Sequence, residues 1–174
     1  MKPIHNFYDS LKKSESAKFE PFWSSVYAEL FPNLVHVSKI VTDLNLQRQG
    51  IDRIITLDNG RTIFIDEKVR FSEYNDILLE YLGDKEDNRK GWIEKQLNID
   101  YLCYAFINSK TCYVFDWNIL QRVWKYYGAI WKKKYKTIEA KNNFCGNEYT
   151  SISVAIPTKV LLSKISDASV IKIK

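Results

Sequence analysis

The chain has 174 residues and is poor in the side chains that staple, coordinate or cradle. Its three cysteines, Cys103, Cys112 and Cys145, are odd in number and form no CxxC pair. That argues against a disulfide framework or a zinc site and points to a reducing, cytoplasmic setting. Only two histidines are present, His5 and His36, and neither belongs to a metal-binding spacing such as HxxxH. Nothing therefore favours a Ser-His-Asp or Cys-His centre. Six glycines form neither GxGxxG nor GxxxxGK, so a glycine loop cradling a nucleotide is not expected. No apolar run approaches the roughly 18 residues of a membrane span, and the amino terminus lacks the apolar stretch of a signal peptide. No membrane partner is expected. Repeats, low-complexity tracts and Gly/Ser linkers are absent, so residues 1–174 read as one domain.

What is present is a core and a polarised charge. Hydrophobic residues make up 45% and aromatics 14%, too apolar for disorder. A chain of this size buries roughly 70% of its surface on folding. The net charge is +5, from 26 basic and 21 acidic residues. Residues 122–141 hold seven basic residues and one acid, Glu139, while the remainder sums to −1. A basic excess confined to one segment suggests a polyanionic partner. Within it, Leu120, Val123, Trp124, Tyr127, Ile130 and Trp131 recur at helical spacing and read as core. Lys132, Lys133, Lys134 and Lys136 have no acid beside them and are candidates for phosphate contact.

The periodicities predict a helix after Pro21 that stops at Pro32-Asn33, then a strand over 34–41 with 44–48 as its extension. Two β-branched runs, 51–57 and 62–69, flank Asp58-Asn59-Gly60 and predict a hairpin. Residues 77–82 read as a third strand of that meander and 84–90 as a solvated loop. A short helix over 92–97, strands over 100–107 and 112–115, a helix over 120–135, a strand over 151–156 and a short helix after Pro157 complete the pattern. This is an α/β (α+β) chain with a single mixed sheet, a central antiparallel hairpin and flanking helices.

The hairpin carries the chemistry. Acid-x-Lys occurs twice, as Asp66-Glu67-Lys68 and Glu139-Ala140-Lys141. Only in the first do the charges lie inside an apolar strand, on one face, where they are costly unless paired. A two-residue Asn59-Gly60 loop would set Asp52 opposite Glu67. A three-residue Asp58-Asn59-Gly60 loop, with Gly60 left-handed in a G1 bulge, sets Asp52 opposite Asp66 and on the face of Lys68. In that register two carboxylates and an ammonium converge, a set suited to Mg²⁺, with Mn²⁺ as a substitute. Glu67 would face the other way, solvated or paired with an arginine. Glu80, in the apolar strand expected beside the hairpin, is a further candidate ligand or a structural acid. A structural ion pair is the competing reading of Asp52, Asp66 and Lys68.

At these residues the chain resembles the PD-(D/E)XK nuclease superfamily, of restriction-endonuclease-like fold, over roughly residues 20–125. Asp52 matches the first acid, Asp66 the second and Lys68 the lysine. Ile51 stands where the family's proline would be. "LLEY" and "GWIEKQLNIDYLCYAF" are similar to small phage-encoded members. The resemblance implies a Mg²⁺-dependent DNA endonuclease leaving 5′-phosphates, with Asp52, Asp66 and the Glu67 backbone carbonyl on the metal and Lys68 at the attacking water. It also singles out Glu29, at the edge of the first helix, and Gln96, one residue out of step with a QxxxY spacing. The alternative is a non-catalytic nucleic-acid-binding module on the same fold. Double-strand cutting would favour a homodimer.

Overall fold

The computed structural model describes residues 5–6, 19–72, 74–144 and 146–173, so Cys145 lies outside the described residues. In chain order the elements are β1 (His5–Asn6), α1 (Glu20–Leu30), β2 (Leu34–Lys39), α2 (Leu44–Arg48), β3 (Arg53–Leu57), β4 (Thr62–Arg70) and β5 (Asp76–Asp84). There follow β6 (Arg89–Lys90), a 3-10 turn (Trp92–Glu94), β7 (Tyr101–Phe106), β8 (Thr111–Asp116), α3 (Trp117–Lys134) and β9 (Thr137–Phe144). The chain ends with β10 (Asn147–Pro157), α4 (Thr158–Leu162) and β11 (Ser169–Lys172). The class is α+β. The chain divides into two compact units, 17–73 with 96–120 and 165–174, and 1–16 with 74–95 and 121–164. Each has its own sheet, where the sequence suggested one.

The first unit holds a mixed six-stranded sheet in the order β11-β8-β7-β4-β3-β2. Only the β4–β7 pair is parallel. On one face, Ile55, Leu57, Ile63 and Ile65 of the hairpin join Cys103, Ala105, Cys112 and Val114 in a core closed by Trp23, Val26 and Tyr27 of α1. Helix α1 forms there because its apolar residues recur three and four apart and Pro21 sits in the first turn, where its missing N–H costs nothing. The segment 44–48 is α2, not an extension of the preceding strand. Asp43 caps it, its Oδ1 accepting from the N–H groups of Asn45 (2.9 Å) and Leu46 (3.1 Å).

The second unit holds the order β1-β9-β10-β5-β6. Strand β5 pairs with β10 and β6, so it is not a third strand of the hairpin meander. The neighbour of β4 is β7, added in parallel. Alternation within 77–82 reports that a strand is half-buried but not which strand it joins, which is how the sequence misplaced it. The charged 84–90 stretch turns β5 into β6. Residues 121–134 of α3 bury Trp124 and Trp131, and Tyr81 stacks on Trp124 with ring centroids 6.4 Å apart. Among the described residues no helix is long and apolar enough to cross a membrane.

Candidate active site on the hairpin

The turn decides the site. Arg53 pairs with Ile65, Ile54 with Phe64, Ile55 with Ile63 and Thr56 with Thr62. Leu57 N–H donates to the Arg61 carbonyl (2.9 Å) and Gly60 N–H to the Leu57 carbonyl (3.0 Å), closing a three-residue loop. Gly60 has φ +79°. That is the left-handed region where a side chain is strained, and the three-residue loop fixes the pairing of Arg53–Thr56 with Thr62–Ile65. The paired ladder ends at Arg53–Ile65, and Asp52, just before β3, donates its N–H to the Ile65 carbonyl (2.9 Å), one residue out of the ladder's register.

Asp66 is 2% exposed, on the sheet face opposite α1. Its Oδ1 accepts from the Lys68 ammonium, which is about one-third exposed. Its Oδ2 is buried and has no hydrogen-bond partner. Burial pushes the Asp66 carboxyl up to about 8, against the pull of Lys68, with the adjacent Asp52 charge adding to the rise. Asp52, half-buried, uses Oδ2 to accept the Glu67 N–H (2.8 Å). The N–H and C=O of one strand residue point to the same side, so the Glu67 carbonyl aims at the same edge as Asp52. Two carboxylates and a carbonyl, all hard oxygens, thus gather beside one ammonium. Among the described residues no group of three or more His, Cys, Asp or Glu side chains is placed to hold a metal ion. The third oxygen here is main-chain.

The other face of the same strands carries a second charged cluster that the sequence foresaw only as an arginine partner for Glu67. Arg53 is 4% exposed, and its Nε donates to Glu67 (2.7 Å) while both terminal nitrogens donate to Glu20 of α1 (2.9 Å each). Lys39 adds a 2.8 Å bond to Glu20, and the buried Tyr27 hydroxyl donates to Glu67. Burial raises Glu67, while Arg53 and Tyr27 pull it down. Arg53 and Lys39 hold Glu20 at about 2 despite its partial burial. The signal was available: Arg53 and Glu67 share the parity of Ile55, Leu57, Ile63 and Ile65, so they had to be buried.

The remaining candidates are dispersed. Glu80 is half-buried on β5, in the sheet of the second unit. Glu29 is exposed on α1, which packs on the face away from Asp66, and Gln96 is exposed in the segment before β7. Lys132 lies over the rings of Tyr81 (5.0 Å) and Trp124 (5.7 Å), and Lys134 over Tyr135 (5.5 Å). Lys133 and Lys136 are exposed. Of the helical stripe read as core, Leu120, Trp124 and Trp131 are buried, but Ile130 is 54% exposed. No family model, no curated protein and no solved structure matches this chain.

Proposed function

We propose that this chain is a metal-dependent DNA endonuclease of the PD-(D/E)XK kind, with Asp52, Asp66 and Lys68 at its centre. The observation that carries the reading is the meeting of the Asp52 and Asp66 carboxyls beside Lys68, with Asp66 Oδ2 buried and unsatisfied. A buried carboxylate oxygen with no donor is costly, and a divalent cation would satisfy it. Asp66 gives one oxygen to Lys68 and keeps the other for the cation, which Asp52 and the Glu67 carbonyl would share. Mg²⁺ bound there would act as a Lewis acid on the scissile phosphate and favour deprotonation of a water. Lys68 orients that water and offsets the charge growing on the phosphate, a contact strongest in the transition state. Asp66, by fixing Lys68, keeps the ammonium in place without solvent reorganisation. Products would carry 5′-phosphates, and double-strand cutting would take two copies of the chain.

Incubation with supercoiled, linear and branched DNA in Mg²⁺ or Mn²⁺ tests this, with Asp66→Asn as the control. The variant is expected to lose cleavage and Mn²⁺ binding. It should keep DNA affinity in metal-free buffer equal or higher, because a repelling charge is gone, and should melt no lower than the wild type. Cleavage by Asp66→Asn at the wild-type rate would sink the assignment. The second reading, a nucleic-acid-binding module without catalysis, draws on the small number of acids at the site and the bond that already engages Lys68. It predicts salt-sensitive DNA binding with no Mn²⁺ binding at all.

A further inference from the structure

The outer face of α3 combines charges and rings in an order the core does not explain. Arg122, Tyr126, Ala129 and Lys133 follow one another at i, i+4, i+7 and i+11, with Lys125 and Ile130 on the flanks, and all six are exposed. The stripe runs about 16 Å at the helical rise of 1.5 Å per residue. Tyr126 is 75% exposed and Ile130 54%. Residues 117–138 contain no acid. Among the described residues, no carboxylate pairs with Arg122, Lys125 or Lys133. The Tyr126 ring is also held: it stands edge-on to Tyr127 at 4.7 Å, and Tyr127 stacks on the buried Trp131 at 5.4 Å. A ring fixed from behind and open in front loses little freedom when something stacks on it.

We propose that this face binds single-stranded nucleic acid, with a base stacked on Tyr126, its neighbour against Ile130, and phosphates on Arg122, Lys125 and Lys133. Three features select that occupant. The unpaired cations call for a polyanion. The ring calls for a flat apolar face between the charges, which an acidic peptide lacks and which a duplex keeps inside its own stack. An anionic lipid surface would need a broad apolar helix face, and the apolar side of α3, with Trp124 and Trp131, is already buried. The inference deepens the nuclease reading by naming its substrate class, and rests on that reading for its use, but the binding itself needs no metal.

Fluorescence anisotropy with an oligo-dT strand of about 20 nucleotides and a duplex of equal length, both in EDTA, tests it. The single strand is expected to bind more tightly than the duplex. Tyr126→Ala should weaken it about 5- to 150-fold, the range one base–aromatic stack covers, while Tyr126→Phe retains most affinity. Arg122→Gln with Lys133→Gln should flatten log K against log[salt] by about 0.7 for each phosphate no longer neutralised. The side chains are exposed, so thermal melts of the variants should match the wild type. Equal or tighter duplex binding, or no effect of Tyr126→Ala, would overturn the proposal. So would polyglutamate or phosphatidylserine vesicles bound as tightly as oligo-dT through Tyr126. If oligo-dT binds as described but nothing is cleaved in Mg²⁺, the nuclease reading fails and the single-strand site stands. If DNA is cleaved but oligo-dT does not bind, the single-strand site fails and the nuclease reading stands.

Discussion

The two faces of the β3–β4 hairpin both carry charge, and they handle it in opposite ways. On the α1 face, Arg53 and Lys39 meet Glu20 and Glu67, and Tyr27 adds a further donor to Glu67. Two cations face two carboxylates, so the cluster is neutral and dry charge is compensated in place. On the other face, one ammonium, Lys68, pairs with Asp66 while the Asp52 carboxylate lies adjacent, and one buried Asp66 oxygen is left over. The first arrangement is what a structural ion network needs. The second is short of positive charge, and burial together with the adjacent Asp52 charge raises the Asp66 carboxyl against the pull of Lys68. Strand alternation keeps the two clusters apart although Asp52 and Arg53, and Asp66 and Glu67, are chain neighbours. A surplus of buried acid is thus a better mark of a candidate site than the mere presence of buried charge.

Substitutions should separate the faces, and the largest effect is expected on the neutral one. Arg53→Ala removes the cation that, among the described residues, bonds Glu67 and both oxygens of Glu20. It leaves Glu67 uncompensated beside the core, at a cost of about 3–5 kcal/mol in urea unfolding. Were Arg53→Ala to cost no more than an exposed ion pair, about 1 kcal/mol or less, the network would not be what locks α1 to the sheet.

Lys68→Ala is expected to show mainly in the rate. It leaves the buried Asp66 carboxyl without its cation, a cost that protonation of Asp66 limits, while the rate falls about 10²- to 10³-fold, the effect of removing one electrostatic contact to a transition state. Single-turnover cleavage measured beside a melting curve decides it. A lower melting point with an unchanged rate would make Lys68 a structural partner of Asp66.

How much of this was legible before folding depends on the range of the contact. The hairpin register follows from local turn chemistry: three loop residues with glycine third fix which residues of 53–56 and 62–65 face each other, and strand alternation puts Asp66 and Lys68 on one face. Strand β5, by contrast, pairs with β10, 70 to 81 residues on, a partner that local alternation within Asp76–Asp84 does not name. Strands β9 and β11 escaped notice because "TIEAKNNF" is largely polar and Ser169–Lys172 spans only four residues. Segment 44–48 has the apolar spacing of either state, and the Asp43 cap tipped it to helix. Ile130 failed for another reason: helical spacing places it at the margin of the buried stripe, and the margin is solvated. Gly60→Ala sharpens the local side of this contrast. Open space surrounds a Cβ built there, so only the left-handed backbone resists it, at about 1–2 kcal/mol. Asp66→Asn introduces no such strain, and a loss of cleavage in Gly60→Ala without loss of fold would show the register itself at work.

The smallest effect expected is a pH dependence, and its sign distinguishes the neutral face from the acid-rich one. Glu20 is held at about 2, first by its bond to Arg53 and further by Lys39, against an ordinary value of 4.5. A carboxylate whose folded value lies below its unfolded value contributes stability that is complete above pH 4.5 and disappears as pH falls toward 2. Its side chain is more than one-third exposed, so the contribution is modest and screened by salt. Glu20→Gln should therefore lower the melting temperature at about pH 6, and the gap to the wild type should close as the pH falls through 4.5 toward 2. Asp66 has the opposite sign: its folded value is raised, so it favours folding at low pH and opposes it as pH climbs toward 8. A melting-temperature gap for Glu20→Gln that widens on acidification would mean that Glu20 is protonated in the fold. The α1 face would then be short of positive charge as well, and the contrast between the faces would fail.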